Sequence, residues 1–268
     1  FNPKFGLTYK INDYNNLYTS FAVANREPKR NDFESGVTTP ETLNDLEFGW
    51  RLKKENIKLN TNIYYMDYKN QLVLTGAIDD VGAPIRTTSG NSYRLGLEID
   101  ADLTLSDKFS MKPNVAFSSN KNKNLIAQID GKLENLGNTN LSFSPDIVVG
   151  NIFLYNPLEN LQISFLSKFV GKQFMSNFRS TVSSNDVLDS FFTSDLNVVY
   201  EIKPAKIFKS VVFSALINNL FNTEYVDRGY YYTYDDTWSA ANQTTTLDGA
   251  GYYPQATRNF LVGVTFKF

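Results

Sequence analysis

Apolar and polar residues alternate along this chain in run after run. In the last ten residues every second position is apolar: Phe260, Val262, Val264, Phe266 and Phe268. Leu261, Gly263, Thr265 and Lys267 lie between them. A period of two marks a strand with two unlike faces. The longest such run is Tyr93, Leu95, Leu97, Ile99, Ala101, Leu103 and Leu105, set against Arg94, Gly96, Glu98, Asp100, Asp102 and Thr104. That strand is about twice the usual globular length of roughly five or six residues. At roughly 3.3 Å per residue it spans about 40 Å, enough to cross a bilayer at a tilt. Burying the charges of Arg94, Glu98, Asp100 and Asp102 unpaired would be prohibitive. One face therefore meets something apolar, and the other meets water or opposite charge.

The same reading predicts eleven strands, at about 4–11, 17–24, 43–53, 57–68, 93–105, 109–118, 146–155, 161–171, 191–202, 209–217 and 259–268. The faces of 146–155 are left unassigned, and helix signals are nearly absent. Short turns near 12–16, 53–56, 106–108, 156–160 and 203–206 alternate with long loops near 25–41, 69–91, 119–143, 172–189 and 219–256. Antiparallel neighbours joined this way place all tight turns on one rim and all long loops on the other. Outer-membrane barrels have this arrangement, with periplasmic turns and longer external loops. A soluble sandwich has shorter strands and no such alternation. The expected fold is all-β, a transmembrane antiparallel β-barrel. Eleven is an odd number, whereas single-chain bacterial barrels have even ones, and lipid does not tolerate open sheet edges. These strands are therefore expected to be the second half of a larger barrel, with a partner segment supplying the rest.

Composition agrees with that reading and closes off other classes. The 268 residues include no run of the roughly 20 apolar residues that a spanning helix needs. Twenty-one Phe and 16 Tyr suit aromatic girdles, or a carbohydrate-binding β protein. A net charge of −2 favours neither nucleic acid nor an anionic surface as partner. The chain has no Cys and no His, so disulfides, thiolate metal sites and the common catalytic triads and dyads cannot be built from it. No carboxylate pair is singled out by spacing. Neither catalysis, a metal nor a cofactor is expected. The chain opens Phe-Asn-Pro-Lys without Met or a signal peptide, and is read as a piece of something longer.

Two groups of residues are candidates for binding. Arg228, Tyr230, Tyr231, Tyr232, Tyr234, Asp235, Asp236 and Trp238 fall on an external loop, where Tyr and Trp offer flat apolar faces with polar tips for ligand capture. The structural alternative, an aromatic girdle with a loop packed on its neighbours, is favoured. A Ca²⁺ site at Asp235 and Asp236 would fall short of the 6–8 oxygens that ion takes. Arg94, Glu98, Asp100 and Asp102 are read as lumen-facing, either lining a solute path or forming a hydrated ion-pair ladder; the ladder is favoured. Trp50, Tyr65 and Tyr93 are read as membrane-interface anchors.

Three further stretches resemble a known family. Asn2-Pro3-Lys4-Phe5-Gly6-Leu7 with Leu17-Tyr18-Thr19-Ser20-Phe21 and Arg26-Glu27-Pro28 is similar to the mid-barrel signature of TonB-dependent outer-membrane receptors. Asn218-Asn219-Leu220-Phe221-Asn222-Thr223-Glu224-Tyr225 resembles their penultimate-strand motif, and Tyr253-Pro254-Gln255-Ala256-Thr257-Arg258-Asn259-Phe260 with the terminal Phe resembles their last strand. The resemblance implies a 22-stranded barrel closed by an amino-terminal plug, with residues 1–268 forming the carboxy-terminal part of the barrel and the plug lying outside this chain. It implies a Gram-negative outer-membrane location and TonB-driven uptake of a scarce large solute such as a ferric siderophore. The implied partners are the TonB complex, the remaining barrel half, the plug and outer-membrane lipids. It also implies that Phe260, Val262, Val264, Phe266 and Phe268 are the signal read by the assembly machinery. The alternative is a passive porin or structural barrel with an external lipoprotein over its loops. A soluble all-β binding domain would have to explain the long strand and the turn–loop alternation.

Overall fold

A computed structural model describes residues 1–34, 36–78, 84–88, 90–130, 132–177, 185–204 and 207–268. Eleven strands follow one another through a single antiparallel sheet, each paired with its neighbours in sequence. They are β1 (Lys4–Lys10), β2 (Asn15–Arg26), β3 (Glu41–Lys53), β4 (Ile57–Lys69), β5 (Asn91–Ser106), β6 (Phe109–Lys123), β7 (Ile147–Leu158), β8 (Leu161–Val170), β9 (Phe191–Ile202), β10 (Ser210–Asn218) and β11 (Asn259–Lys267). A two-residue bridge, Thr139–Asn140, pairs with the upper end of β6. Within this chain the sheet is open, with β1 and β11 at its two edges.

The register turns the sequence alternation into two continuous faces. Phe48, Ile63, Leu97, Phe117 and Ile147 are direct partners in a row across β3 to β7. One position over, Tyr18, Gly49, Asn62, Glu98 and Ala116 form a row on the other face. The pairing also assigns β7, whose apolar-face residues are Ile147, Val149, Asn151, Phe153 and Tyr155. Much of the apolar face lies open: Phe48 and Ile63 are each 51% exposed. Leu125, Leu141, Met175, Leu188 and Tyr231, which are buried, belong to the long-loop side instead. So broad an uncovered apolar face does not suit water. Among the described residues no helix is long and apolar enough to cross a membrane, so any crossing is made by strands.

Aromatic rings edge this apolar band. Near the long-loop rim Tyr65 and Tyr93 lie 6.2 Å apart, and Lys123 reaches Asp67 at 3.0 Å beside the Tyr93 ring. Near the short-turn rim Phe109 lies 6.0 Å from Phe153. There Phe208 packs on Phe266 and Phe268, and Trp50 donates its indole N–H to Asn15 at 3.1 Å. Two aromatic belts flanking an apolar band are what the two interfaces of a bilayer take.

The strands run further toward the long loops than the sequence pattern predicts. β5 has 16 residues. β6 has 15 and continues through Lys123, into a stretch expected to be loop. Ser118–Lys123 is polar on both faces, so periodicity is silent there, yet it continues the ladder against Asn91–Gly96. The loops also carry structure of their own. A short helix, Arg30–Glu34, lies in the first long loop. Leu72–Ile78 pairs with Pro84–Thr88 in the second, and Val226–Asp236 pairs with Thr245–Pro254 in the last.

On the polar face two tyrosines lie over glycines of the next strand. A Cβ on Gly49 would come within 2.2 Å of the Tyr18 ring, and one on Gly96 within 2.4 Å of Tyr64. Glycine is therefore the residue that lets these rings bridge two strands. Gly96→Ala should force Tyr64 from its place and cost about 1–2 kcal/mol, within the usual range for overpacking. The same change in a Tyr64→Ser background should cost less than about 0.5 kcal/mol, since the clash is then absent. Denaturant titration of the four proteins of this cycle checks the coupling; equal costs in both backgrounds would refute it.

Candidate ligand platform and interior wall

The stretch from Arg228 to Trp238 is a strand and turn rather than an irregular loop. In its hairpin Arg228, Tyr230, Tyr232, Tyr234 and Asp236 share one face with their partners Tyr253, Gly251, Gly249, Leu247 and Thr245. A Cβ on Gly251 would fall 2.3 Å from the Tyr230 ring, and one on Gly249 would fall 2.5 Å from Tyr232. Each phenol thus reaches across the hairpin and covers the glycine opposite. Tyr230 and Tyr232 lie 6.3 Å apart with planes 20° from parallel, and Tyr232 and Tyr234 lie 6.4 Å apart at 22°. Trp238 continues the row 6.2 Å from Tyr234 at 5°. Rings in direct face contact would be about 3.5–4.0 Å apart, so these are set side by side along the hairpin. All four are exposed, Trp238 at 72%.

The reverse face is packed. Tyr231 is buried there against Met175 and Leu188, with Val226 and Ala250 around them. Thr246 and Asp130 exchange two hydrogen bonds of 2.8 Å, the Thr246 N–H donating to the Asp130 carboxylate and the Asp130 N–H to the Thr246 hydroxyl. That hydroxyl donates in turn to Asp235 at 2.7 Å. Tyr252 donates to the Asn185 carbonyl at 2.7 Å. Of the eight residues singled out in the sequence, the structure gathers Arg228, Tyr230, Tyr232, Tyr234, Asp236 and Trp238 on or beside the open face. Tyr231 and Asp235 lie on the packed one. Asp235 and Asp236 face opposite ways and do not converge on a common ion.

Electrostatics fixes the end of the row. The Asp236 carboxylate accepts the backbone N–H groups of Trp238 and Ser239 at 3.1 and 3.0 Å. Hydrogen bonding from Ser239 is the main reason its pKa is lowered from the ordinary carboxylate value, with Trp238 adding to it. This charged Asx-type turn places the indole beside Tyr234. Arg228 is already engaged by Asp227, at 3.1 and 3.2 Å, which raises the guanidinium pKa further. Sequence reasoning missed Tyr253, Gly249, Gly251 and the Asp130–Thr246 lock. The alternation in Gly249-Ala250-Gly251-Tyr252-Tyr253 was the available signal for the opposing strand.

The polar face of the wall is a ladder of short polar contacts. Asp102 lies 3.6 Å from Lys58 and 3.7 Å from Lys112. Asn60 donates to Asp100 at 2.8 Å, and Arg94 donates to the Ser144 hydroxyl at 3.0 Å. Glu98 lies between Asn62 and Ala116. Nearby, Tyr18 donates to Asn62 at 3.0 Å beneath the Arg51 guanidinium.

An uninterrupted antiparallel wall, one face apolar and edged by aromatic belts, the other polar, defines the membrane-spanning class of outer-membrane β-barrels. Within that class the family model for the beta-barrel of TonB dependent receptor-like proteins matches residues 1–220. The chain belongs to the TonB-dependent receptors, an outer-membrane family of transporters rather than enzymes. No curated protein matches the sequence significantly. Among solved structures, the ferric-catecholate import receptor Fiu from E. coli K12 matches 97% of this chain and 34% of its own, at 16% identity and a TM-score of 0.68. The siderophore receptor PiuA from Acinetobacter baumannii matches 99% of this chain and 35% of its own, at 16% identity and a TM-score of 0.71. The copper transporter OprC matches 99% and 39%, at 17% identity and a TM-score of 0.69. The chain thus spans about a third of the length of the first two.

Proposed function

We propose that residues 1–268 form the carboxy-terminal part of the barrel of a TonB-dependent active transporter, supplying eleven wall strands and the external loops above them. The observation that carries this reading is the unbroken antiparallel succession of β1 to β11 in a chain of this family. Its two free edges need partners, because unpaired backbone N–H and C=O groups are costly in lipid. The other barrel strands, a plug and the segment that contacts TonB would then come from elsewhere in the receptor. Arg94, Glu98, Asp100 and Asp102 would face that plug or the lumen, and the outward face would meet outer-membrane lipids. Phe260, Val262, Val264, Phe266 and Phe268 would serve as the assembly signal of the last strand.

The cargo in this reading is a scarce large solute of the kind exemplified by ferric siderophores. The receptors it resembles are named for ferric-catecholate, siderophore and copper uptake, so the shared wall does not choose among ligands. Solute uptake by cells carrying the full receptor tests the mechanism. Accumulation should fall to the diffusion background when the proton-motive force is collapsed or TonB is deleted. Uptake unchanged by either treatment would favour a passive porin, and co-purification of a lipoprotein with the loops would point to a capped barrel.

A further inference from the structure

We propose that the open face of the Val226–Asp236/Thr245–Pro254 hairpin is a platform for a neutral glycan chain laid along Tyr230, Tyr232, Tyr234 and Trp238. This deepens the import reading by naming the class of solute captured, and it rests on that reading only for the fate of the bound chain. Four features of the hairpin select this class.

The first is the repeat. Three successive ring pairs are spaced at 6.2–6.4 Å with planes within 5–22° of parallel. A compact solute would cover one or two of these rings and leave the others wet. A chain of similar ring-shaped units uses the whole row. The second is the chemistry of the faces. An aromatic ring is negative on its face, whereas the flat side of a pyranose presents weakly positive C–H groups around an apolar patch. The two stack without any charge on the ligand.

The third is charge. The hairpin's one basic residue, Arg228, is paired with Asp227, and Asp236 shares the open face with the ring row, whereas Asp235 and Asp248 belong to the packed face. An anionic ferric complex would meet an acidic surface whose one cation is occupied. An organic cation would suit the acidity, but such ligands are held in cages of converging rings. Here the principal rings form a nearly parallel row. Carboxylates and phenol hydroxyls at the border of the row can bind the hydroxyls of a sugar. The fourth is preorganisation. Tyr231, Met175 and Leu188 hold the reverse face together with the Asp130–Thr246 exchange, and Gly249 and Gly251 seat two of the rings. Little ordering cost remains to be met on binding.

The test is calorimetry and a neutral-glycan array on the full receptor in detergent. Maltohexaose, cellohexaose, xylohexaose and mannohexaose are the titrants. A ferric tris-catecholate and spermidine represent the anionic and cationic alternatives. At least one neutral glycan should bind, more tightly as its length rises from two to four units. Trp238→Ala and Tyr234→Ala should each weaken it about tenfold, while Tyr234→Phe keeps most of the affinity. Circular dichroism of each variant separates lost stacking from lost folding. The proposal is overturned if no neutral glycan on the array binds, if binding ignores folded Trp238→Ala and Tyr234→Ala, or if only the ferric complex or spermidine binds. Platform-dependent glycan binding with uptake indifferent to TonB would leave this proposal standing and remove the transport reading. TonB-dependent uptake of a ferric complex alone would do the reverse.

Discussion

Ile63→Arg should destabilise the folded receptor in vesicles by about 2–4 kcal/mol, the cost of an arginine on the lipid face of a barrel near the midplane. Ile63 is the central residue of the thirteen in β4. It lies in the row with Phe48, Leu97 and Phe117, and it is 51% exposed. For a soluble protein, substitution at so open a position changes stability by no more than about 0.5 kcal/mol. The two environments therefore predict different outcomes for one change. In lipid the guanidinium loses its hydration and finds no partner among neighbouring Phe and Leu side chains. Ala116→Arg is the matched control. Ala116 lies on the polar face opposite Glu98, where a cation meets water and a carboxylate, and the cost should stay below about 1 kcal/mol. Guanidinium titration of both variants in vesicles measures the difference. If Ile63→Arg matches the wild type, the apolar face does not lie against lipid. A cost of this size should also lower the amount of receptor reaching the outer membrane severalfold.

The wall was legible because each of its strands has to present unlike faces to two solvents. Leu95, Leu97 and Ile99 against Arg94, Glu98 and Asp100 is that demand written in sequence. The turn–loop alternation then ordered the strands without any knowledge of pairing. Reading failed where the two-solvent demand stops. Above the apolar band β6 continues through Ser118–Lys123 with polar residues on both faces, and nothing in the period marks it as strand. The face of β7 was hidden for a different reason. Val148, Ile152 and Leu154 are apolar on the polar side, while Asn151 is polar on the apolar side, and only pairing with Val115 and Met111 resolves the parity. The aromatic stretch was found by composition, but its division was not. Tyr231 differs from Tyr230 and Tyr232 only in pointing at Met175 and Leu188, a tertiary fact. The glycines beneath Tyr230 and Tyr232 lie about twenty residues further along the chain and become partners only once the hairpin closes.

Asn219→Ala should be the most costly single change at the root of that hairpin. Asn219 is 5% exposed and has φ of 50°, in the left-handed region. Its N–H donates to Asp195 at 2.8 Å, and its amide NH₂ donates to the carbonyls of Thr223 at 2.8 Å and Ala256 at 3.2 Å. Its side-chain oxygen accepts the Thr223 N–H at 2.9 Å. One side chain thus closes the turn after β10 and ties it to the residues leading into β11. The flanking contacts depend on the same geometry: Phe221 meets Phe165 edge-on, and Tyr225 stacks on Phe191 at 4.5 Å. Alanine removes three side-chain hydrogen bonds, each worth about 1 kcal/mol. It also places a residue without a local polar side chain in a left-handed conformation, at roughly 1 kcal/mol more. A total of about 3–4 kcal/mol is expected from these two sources. Asn219→Gly separates them, because glycine accepts the backbone angle but not the bonds, and should cost about 1 kcal/mol less than alanine. Asn219→Asp keeps the acceptor for Thr223 but turns a carboxylate toward two carbonyls, so it should rescue poorly. Titration of the three variants in vesicles would show this ordering. Alanine and glycine variants equal to each other and to the wild type would mean that the turn is held by its aromatic contacts alone. Because Val226 begins the aromatic hairpin and Gln255 follows it, bonded to the Tyr225 carbonyl at 3.0 Å, loosening this turn should also loosen the platform. Glycan affinity should therefore fall in Asn219→Ala even where the wall remains folded, although Asn219 lies outside the ring row itself.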